Sequence, residues 1–413
     1  MKNFSELRKN LKKDASGLPA VRLAITADWS VQMLSQALRG LGYDKGYDVC
    51  IYEAAIDQME AELLNPQSEL YAFQPDFILL FPSVEKLQSK FYAKSSRDGK
   101  GFAEQELERL QALWGAAGEF SNASILCCNY CELNDGIFGN YAAAYEEAFL
   151  FSTRYLNMIL SEAASAQKNM HLIDISSIQN QYGRKNTFDE RLYYLSKTVF
   201  SMEILPAVSE RILSSMETLK GRIKKCLVTD LDNTIWGGIV GDDGLEGIQI
   251  GELGIGKAFS DLQQWMKELS RRGIAIAVCS KNDEDKAKEP FEKHPDMVLK
   301  EEDISVFIAN WEDKAANILK IRETLNIGLD AIVFIDDNPF ERELVREMLP
   351  EVIVPELPKD PALYLAVLQS LNLFETVNIS AEDRERSRLY REEAKREAER
   401  ATGVSFEEYL ESL

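Results

Sequence analysis

The sequence predicts an α/β protein made of two doubly wound domains, each a parallel sheet with helices on both faces. Short apolar runs alternate with longer amphipathic ones, first over residues 21–200 and again over 226–354, which is the pattern of consecutive βα units. At 413 residues the chain has room for about two or three domains of roughly 100–200 residues each. In the second series the apolar runs also end in polar, reactive side chains, where parallel sheets carry their chemistry.

In the first series the expected strands are 21–25, 49–52, 77–81, 125–128 and 172–175, with helical stretches at 31–41, 104–114 and 145–161. Residues 203–222 read as a helix joining the domains. The second series has expected strands at 226–229, 274–279, 298–299, 331–335 and 352–354, with helices at 257–271 and 314–325. These place a first domain at 1–205, a helical linker at 206–222, a second domain at 223–375 and a helical tail at 376–413. The tail includes a charged helix over 381–400, whose Glu-to-Arg spacings of four suit a solvated face. No internal repeat of 20–50 residues is present.

Composition narrows the function. A formal charge of −21 disfavours nucleic acid or an anionic membrane as partner. No apolar stretch approaches the ~20 residues of a membrane span, and the first residues lack the apolar core of a signal peptide, so a cytoplasmic location is expected. Six cysteines form no disulfide framework; Cys128-x-x-Cys131 has no second pair at zinc-site spacing. With two histidines in the chain, His171 and His294, a histidine-rich metal site is not expected. Gly251-Glu-Leu-Gly-Ile-Gly-Lys-Ala258 falls short of a nucleotide-binding P-loop, because alanine stands where the Mg²⁺-binding hydroxyl belongs.

The second domain carries Asp230-Leu-Asp232-Asn-Thr234 after its first strand, Ser280 after its second, Lys314 at the start of a helix, and Asp336-Asp337 after Ala331-Ile-Val-Phe-Ile335. Two carboxylates at the end of a buried strand cost several kcal/mol unless a cation or hydrogen bonds offset them. These residue types in this order resemble the four motifs of the haloacid dehalogenase superfamily. That resemblance implies phosphoryl transfer with Mg²⁺ as cofactor and a phosphorylated substrate (phosphoglyceryl, sugar or carrier-linked). It makes Asp230 the nucleophile and Asp232 the acid and base. Thr234 and Ser280 become donors to phosphoryl oxygens, and Lys314 pairs with Asp230 and the transferring group. The metal ligands would be Asp230, the backbone carbonyl of Asp232 and the Asp336–Asp337 pair. Asp336 is expected to bind directly, and Asp337 to act through water or by positioning Lys314. Asn233, Lys281 and Asn282, which flank the motifs, are expected to bind substrate. The short spacings from Thr234 to Ser280 and from Ser280 to Lys314 leave no length for a large cap, so an open site is expected.

The motif flanks are more particular. Asp230-Leu-Asp-Asn-Thr-Ile-Trp-Gly-Gly-Ile-Val-Gly-Asp-Asp-Gly244, Cys279-Ser-Lys-Asn282, Phe334-Ile-Asp-Asp-Asn-Pro-Phe-Glu-Arg342 and the ending Phe406-Glu-Glu-Tyr-Leu resemble the FkbH-like family. Membership implies an N-terminal domain like an SGNH hydrolase, with a flavodoxin-like fold. It also implies an association with making glyceryl thioesters on an acyl carrier protein from a phosphorylated glyceryl donor. In that transfer Cys279 is the candidate thioester carrier. Ser30, Asn129 and Asp189 mark the expected N-terminal cleft. Leu192 stands where an SGNH enzyme has its histidine, so the domain is expected to lack a working triad. Three functions follow: a Mg²⁺-dependent phosphatase acting through an aspartyl-phosphate, a glyceryl transferase, or a scaffold that recognises phosphate without turnover.

Overall fold

The computed structural model describes residues 2–94 and 98–380, together with Asp383, Glu385, Arg386, Arg388, Leu389, Tyr390, Glu392 and Arg396. Most of the helix expected over 381–400 and the family-like ending at 406–410 lie outside the described residues. The chain divides into two compact units, Met1–Glu217 and Thr218–Leu413.

The first unit holds five strands: β1 (Ala20–Ala27), β2 (Asp48–Glu53), β3 (Phe77–Phe81), β4 (Ser124–Cys128) and β5 (Met170–Ile173). They pair in the order β2-β1-β3-β4-β5, all parallel, which is the flavodoxin-like order with its switch point between β1 and β3. The central strand β3, Phe-Ile-Leu-Leu-Phe, is buried at every position, as a strand covered on both faces must be. The fifth strand ends at Ile173 and not at 175, because Asp174 caps the helix Ile175–Tyr182 by accepting from Ser177 N. The helix expected over 104–114 runs from Gly99 to Phe120, started by Asp98 accepting from Gly101 N at 3.0 Å.

The second unit holds β6 (Cys226–Thr229), β7 (Ala275–Ser280), β8 (Val306–Ala309) and β9 (Ile332–Ile335), in the parallel order β8-β7-β6-β9. Alternate residues serve two apolar layers. Leu227, Ile276, Val278, Val333 and Ile335 pack with Trp236, Phe259, Met266 and Phe291. Cys226, Val228, Ala277, Cys279 and Phe334 pack with Ile318, Ile321 and Val345.

Two expected strands are absent here. Val298 and Leu299 donate their N–H groups to Gln263 Oε1, at 3.1 and 3.0 Å, so a glutamine side chain satisfies backbone that would otherwise seek a ladder. The edge strand is instead β8, seven residues further on. At 352–354 the pairing shrinks to one parallel bridge, Val333 to Ile353. Among the described residues no helix is long and apolar enough to cross a membrane.

Candidate active site

The ladders carry the reactive residues together. Asp230 N donates to Ile335 O at 3.0 Å, extending the β6–β9 pairing by one residue and setting Asp230 beside Asp336. Asn310 N donates to Ser280 O at 3.1 Å and draws the next loop to the end of β7. That loop leads to Asp313, which caps the helix Lys314–Leu325 by accepting from Ala315 N and Ala316 N. Lys314 is therefore the first helical residue and is 3% exposed.

The Lys314 ammonium lies 3.0 Å from Asp230 Oδ1 and 2.5 Å from Asp336 Oδ2. Burial pushes the Asp230 carboxyl up to about 6, against the pull of Lys314. Burial likewise raises Asp336 and Asp337. It works against the Lys314 charge too, but Asp230 and Asp336 outweigh it and hold the ammonium protonated. Apart from the lysine ion pair, the buried Asp230 Oδ1 has no hydrogen-bond partner among the described residues.

Asp230, Asp336 and Asp337 each bring an oxygen within 4.8 Å of the others. Among the described residues Lys314 is the one side-chain cation paired with these carboxylates, which leaves the cluster richer in carboxylates than in ammonium partners. Oxygen donors grouped in this way suit a hard divalent cation, and the residues present fit such an ion.

Asp232 is held from two sides. Its Oδ1 accepts from Trp236 Nε1 at 2.9 Å and Val240 N at 3.0 Å, and its Oδ2 accepts from Asn282 Nδ2 at 2.7 Å. Trp236 and Val240 belong to a glycine-rich flap after Thr234. The flap base is pinned by paired backbone bonds between Gly237 and Gln249, at 3.0 and 2.7 Å. Gly238 turns there with φ of 91°, a conformation open to glycine. These elements surround a cavity of about 620 Å³ lined by Asp230, Asp232, Ser280, Asn282, Lys314 and Asp337, with Ile239 and Trp311 among its walls. Trp311 is 72% exposed, and its Nε1 donates to Asp283 Oδ1 at 3.1 Å.

Three expectations, on Thr234, Cys279 and the Asp336–Asp337 pair, need correction. Thr234 is fully buried; its hydroxyl accepts from Asp337 N at 3.0 Å and lies 3.4 Å from Asp337 Oδ1. It braces the Asp336–Asp337 turn and does not line the cavity. Cys279 faces the opposite apolar layer, with Sγ 3.7 Å from Lys314 O and its thiol pushed up to about 12 by burial. It lacks both the access and the thiolate a thioester carrier needs. Asn233 lines the cavity, and its Oδ1 also accepts from Gly238 N in the flap at 2.9 Å. Lys281 lines the cavity too, with its ammonium 2.6 Å from Glu341. Finally, Asp336 rather than Asp337 positions Lys314, because its Oδ2 meets the ammonium while its Oδ1 accepts from Asn338 N at 2.8 Å.

Sequence reasoning passed over Glu341 as a site residue. It stands at N3 of the helix Pro339–Met348, three residues after the cap Asn338, where glutamate ordinarily reads as a capping-box partner. Its place beside Lys281 on the cavity wall comes from tertiary packing.

The N-terminal candidates each make local capping or backbone contacts. Asn129 lines the crevice at the strand ends and also caps the helix Ile175–Tyr182: its Oδ1 accepts from Ile175 N and Ser176 N, and its Nδ2 donates to Asp174 Oδ1 at 2.7 Å. Asp189 caps the helix Glu190–Ser196. Ser30 N donates to Lys197 O at 2.9 Å. The switch-point crevice where a flavodoxin-like sheet binds ligands is filled by Trp29. This residue is 1% exposed, donates to Phe81 O at 3.0 Å, and packs edge-on against Phe81 and Phe200. A cavity of about 10 Å³ remains, roughly the space of one water molecule.

The family model for the FkbH N-terminal domain matches residues 22–217. A crystal structure of the N-terminal part of a Bacteroides fragilis protein, containing a phosphatase domain and complexed with Mg, aligns with a TM-score of 0.88 and 44% identity. The alignment covers 92% of this chain and all of that one. An acetyl xylan esterase aligns over 47% of this chain and 98% of its own, with a TM-score of 0.32 and 14% identity. An alpha/beta hydrolase from the metagenome of Lake Arreo, Spain, aligns over 49% and 97%, with a TM-score of 0.33 and 9% identity. Neither of these two bears on function. No curated protein matches the chain. The FkbH match across the first unit, and the 44% identity to a solved relative over 92% of the chain, show that this chain belongs to the FkbH-like family.

Proposed function

We propose that this chain is a Mg²⁺-dependent phosphatase of the haloacid dehalogenase type that works through an aspartyl-phosphate. The observation that carries the reading is Asp230, buried at a strand end with its carboxylate 3.0 Å from the Lys314 ammonium, on the wall of an open cavity. The similar Bacteroides fragilis protein contains a phosphatase domain and is complexed with Mg.

In this reading Asp230 attacks phosphorus, the bond to the leaving oxygen breaks, and Asp232 delivers a proton to that oxygen. Asp232 then takes a proton from the water that attacks the acyl phosphate and releases Asp230. Ser280, at the end of β7, offers its hydroxyl to a phosphoryl oxygen. Lys314 holds Asp230 ionised and balances charge on the transferring group. Bound Mg²⁺ would neutralise phosphate oxygen charge and orient the in-line approach. Asp230, Asp337 and the Asp232 carbonyl would hold it. Asp337 is preferred to Asp336, the first expectation, because Asp337 lines the cavity while the Asp336 oxygens meet Lys314 and Asn338 N.

A second reading is glyceryl transfer to an acyl carrier protein, with phosphate loss as one step. The open cavity and the exposed Trp311 at its mouth favour a bulky or carrier-linked substrate. The buried Cys279 is not part of it. The N-terminal unit is then an SGNH-like module without a working triad, with its crevice closed by Trp29.

The test is phosphate release with Mg²⁺ from a panel of phosphoesters and acyl phosphates, phosphoglycerates included. Wild type and Asp230→Asn are compared with and without carrier protein. Release from small esters alone makes it a phosphatase; release only from a glyceryl phosphate, with mass gained by the carrier, makes it a transferase. Tight Mg²⁺-dependent phosphate binding with no turnover would overturn both.

A further inference from the structure

We propose that Asn282 is a positioning residue that aims the Asp232 carboxylate at the leaving-group oxygen; the proposal rests on the phosphatase reading above. An aspartate carboxyl turns about a broad, soft χ2, so hydrogen bonds to one oxygen leave the other free to swing. Here both oxygens are tied. Trp236 Nε1 and Val240 N hold Oδ1 from the flap, while Asn282 Nδ2 holds Oδ2 at 2.7 Å from the end of β7. A carboxylate only accepts, so the amide nitrogen of Asn282 must face it.

The three donors come from two separate elements. Val240 N rides on the flap, whereas the Trp236 indole is fully buried in the apolar layer against Phe291. Asn282 stands two residues after Ser280, in the loop that leaves β7, and is 5% exposed. Among the described contacts it is the one donor to Oδ2, so its loss frees that oxygen whatever holds Oδ1. In an open site that admits bulky substrates, such an anchor keeps the proton donor in register. The same Nδ2 lies 3.5 Å from Ser280 Oγ, so Asn282 spans the acid–base residue and the proposed phosphoryl-binding hydroxyl.

A merely structural asparagine and a positioning one differ in how loss depends on the leaving group. An alkoxide departs poorly without a proton, whereas a nitrophenolate departs readily without one. Misplacing the proton donor therefore slows alkyl esters more than aryl esters.

The experiment measures kcat/KM with Mg²⁺ for p-nitrophenyl phosphate and for ethyl phosphate, and follows their ratio. Wild type is compared with Asn282→Ala, with Asn282→Leu, which keeps the volume and removes the donor, and with Trp236→Phe, which removes one Oδ1 donor. Asp232→Asn sets the upper limit. The aryl-to-alkyl ratio is expected to rise at least about tenfold in both Asn282 variants, and in the same direction for Trp236→Phe. An equal slowing of both esters, or an unchanged ratio, overturns the assignment. If Asp230→Asn retains turnover, or wild type cleaves neither ester, the phosphatase reading itself falls and takes this inference with it.

Discussion

The Lys314 ammonium sits 2.5 Å from Asp336 Oδ2, with both side chains almost fully buried. Lys314 is the one cation touching both Asp230 and Asp336 among the described contacts. Removing one partner of a buried pair typically costs about 3–5 kcal/mol, because the remaining charge is stranded. Lys314→Met should therefore lower the melting temperature sharply in EDTA. If the carboxylates bind a divalent cation, Mg²⁺ should restore more of that loss in the variant than it adds to wild type. Thermal unfolding of both proteins in EDTA and in Mg²⁺ checks this, and equal Mg²⁺ increments would show that the cluster does not hold the ion.

The two acids after β9 should separate. Asp337 lines the cavity with Oδ1 3.4 Å from Thr234 Oγ1, whereas Asp336 is committed to Lys314 and Asn338 N. Asp337→Asn is expected to weaken Mg²⁺ binding at least about tenfold, since a charged ligand is lost. Asp336→Asn should have the smaller effect on affinity and the larger on turnover. Calorimetric titration with Mg²⁺ beside steady-state kinetics decides it; the reverse ranking would restore Asp336 as the ligand.

Asp230→Asn should abolish turnover, with a loss of at least about a thousandfold for removal of a nucleophile, and leave the near-ultraviolet circular dichroism unchanged. Asp232→Asn should keep the first step for good leaving groups and slow the second. An acid-labile phosphoenzyme is then expected in rapid-quench samples. Its absence at every time point would count against a two-step reaction.

What could be read from the chain was residue type and strand end. Asp230, Ser280 and Asp336-Asp337 follow apolar runs, and that placement fixes them at one edge of a parallel sheet. The direction of each side chain was not readable to the same degree. Cys279 and Ser280 are neighbours in sequence, yet one packs in an apolar layer and the other lines the cavity. Thr234 has the right chemistry for phosphate, but its hydroxyl is consumed by Asp337 N, a contact made across 103 residues. Val298 and Leu299 have strand-like side chains, but Gln263 satisfies their backbone. The capping role of Asn129 could not be read until the Ile175–Tyr182 helix was in place. In each case the missing information was a partner distant in sequence.

Cys279→Ala should leave phosphate release, and any loading of a carrier, within about twofold of wild type. The thiol is buried, pushed up to about 12, and directed at Lys314 O, so the thiolate fraction at neutral pH is negligible. The folded protein should not label at Cys279 with a thiol reagent until denatured. Mass-mapped labelling of native and unfolded protein tests this, and rapid native labelling with loss of transfer would reinstate a thioester role.

Asp28 gives the first unit a pH signature. It follows β1 and accepts from Ser83 N at 2.9 Å, and burial pushes its carboxyl up to about 6 despite that bond and the nearby Lys90 and Arg109. In the unfolded chain the group loses its proton near pH 4, while the folded protein keeps it to about 6. Between those values the folded state binds more protons, so raising the pH destabilises it. The contribution is fully present below pH 4 and gone above pH 6, with an upper limit on the order of 3 kcal/mol for a shift of about two units. Asp28→Asn removes the titration and can still accept from Ser83 N through its amide oxygen. Relative to wild type the variant should gain stability as pH rises from 4 to 6 and hold a constant difference above that. Melting temperatures of the pair at pH 4, 5, 6 and 7.5 test it, and a difference independent of pH would mean that Asp28 ionises in the folded state as it does in the unfolded chain.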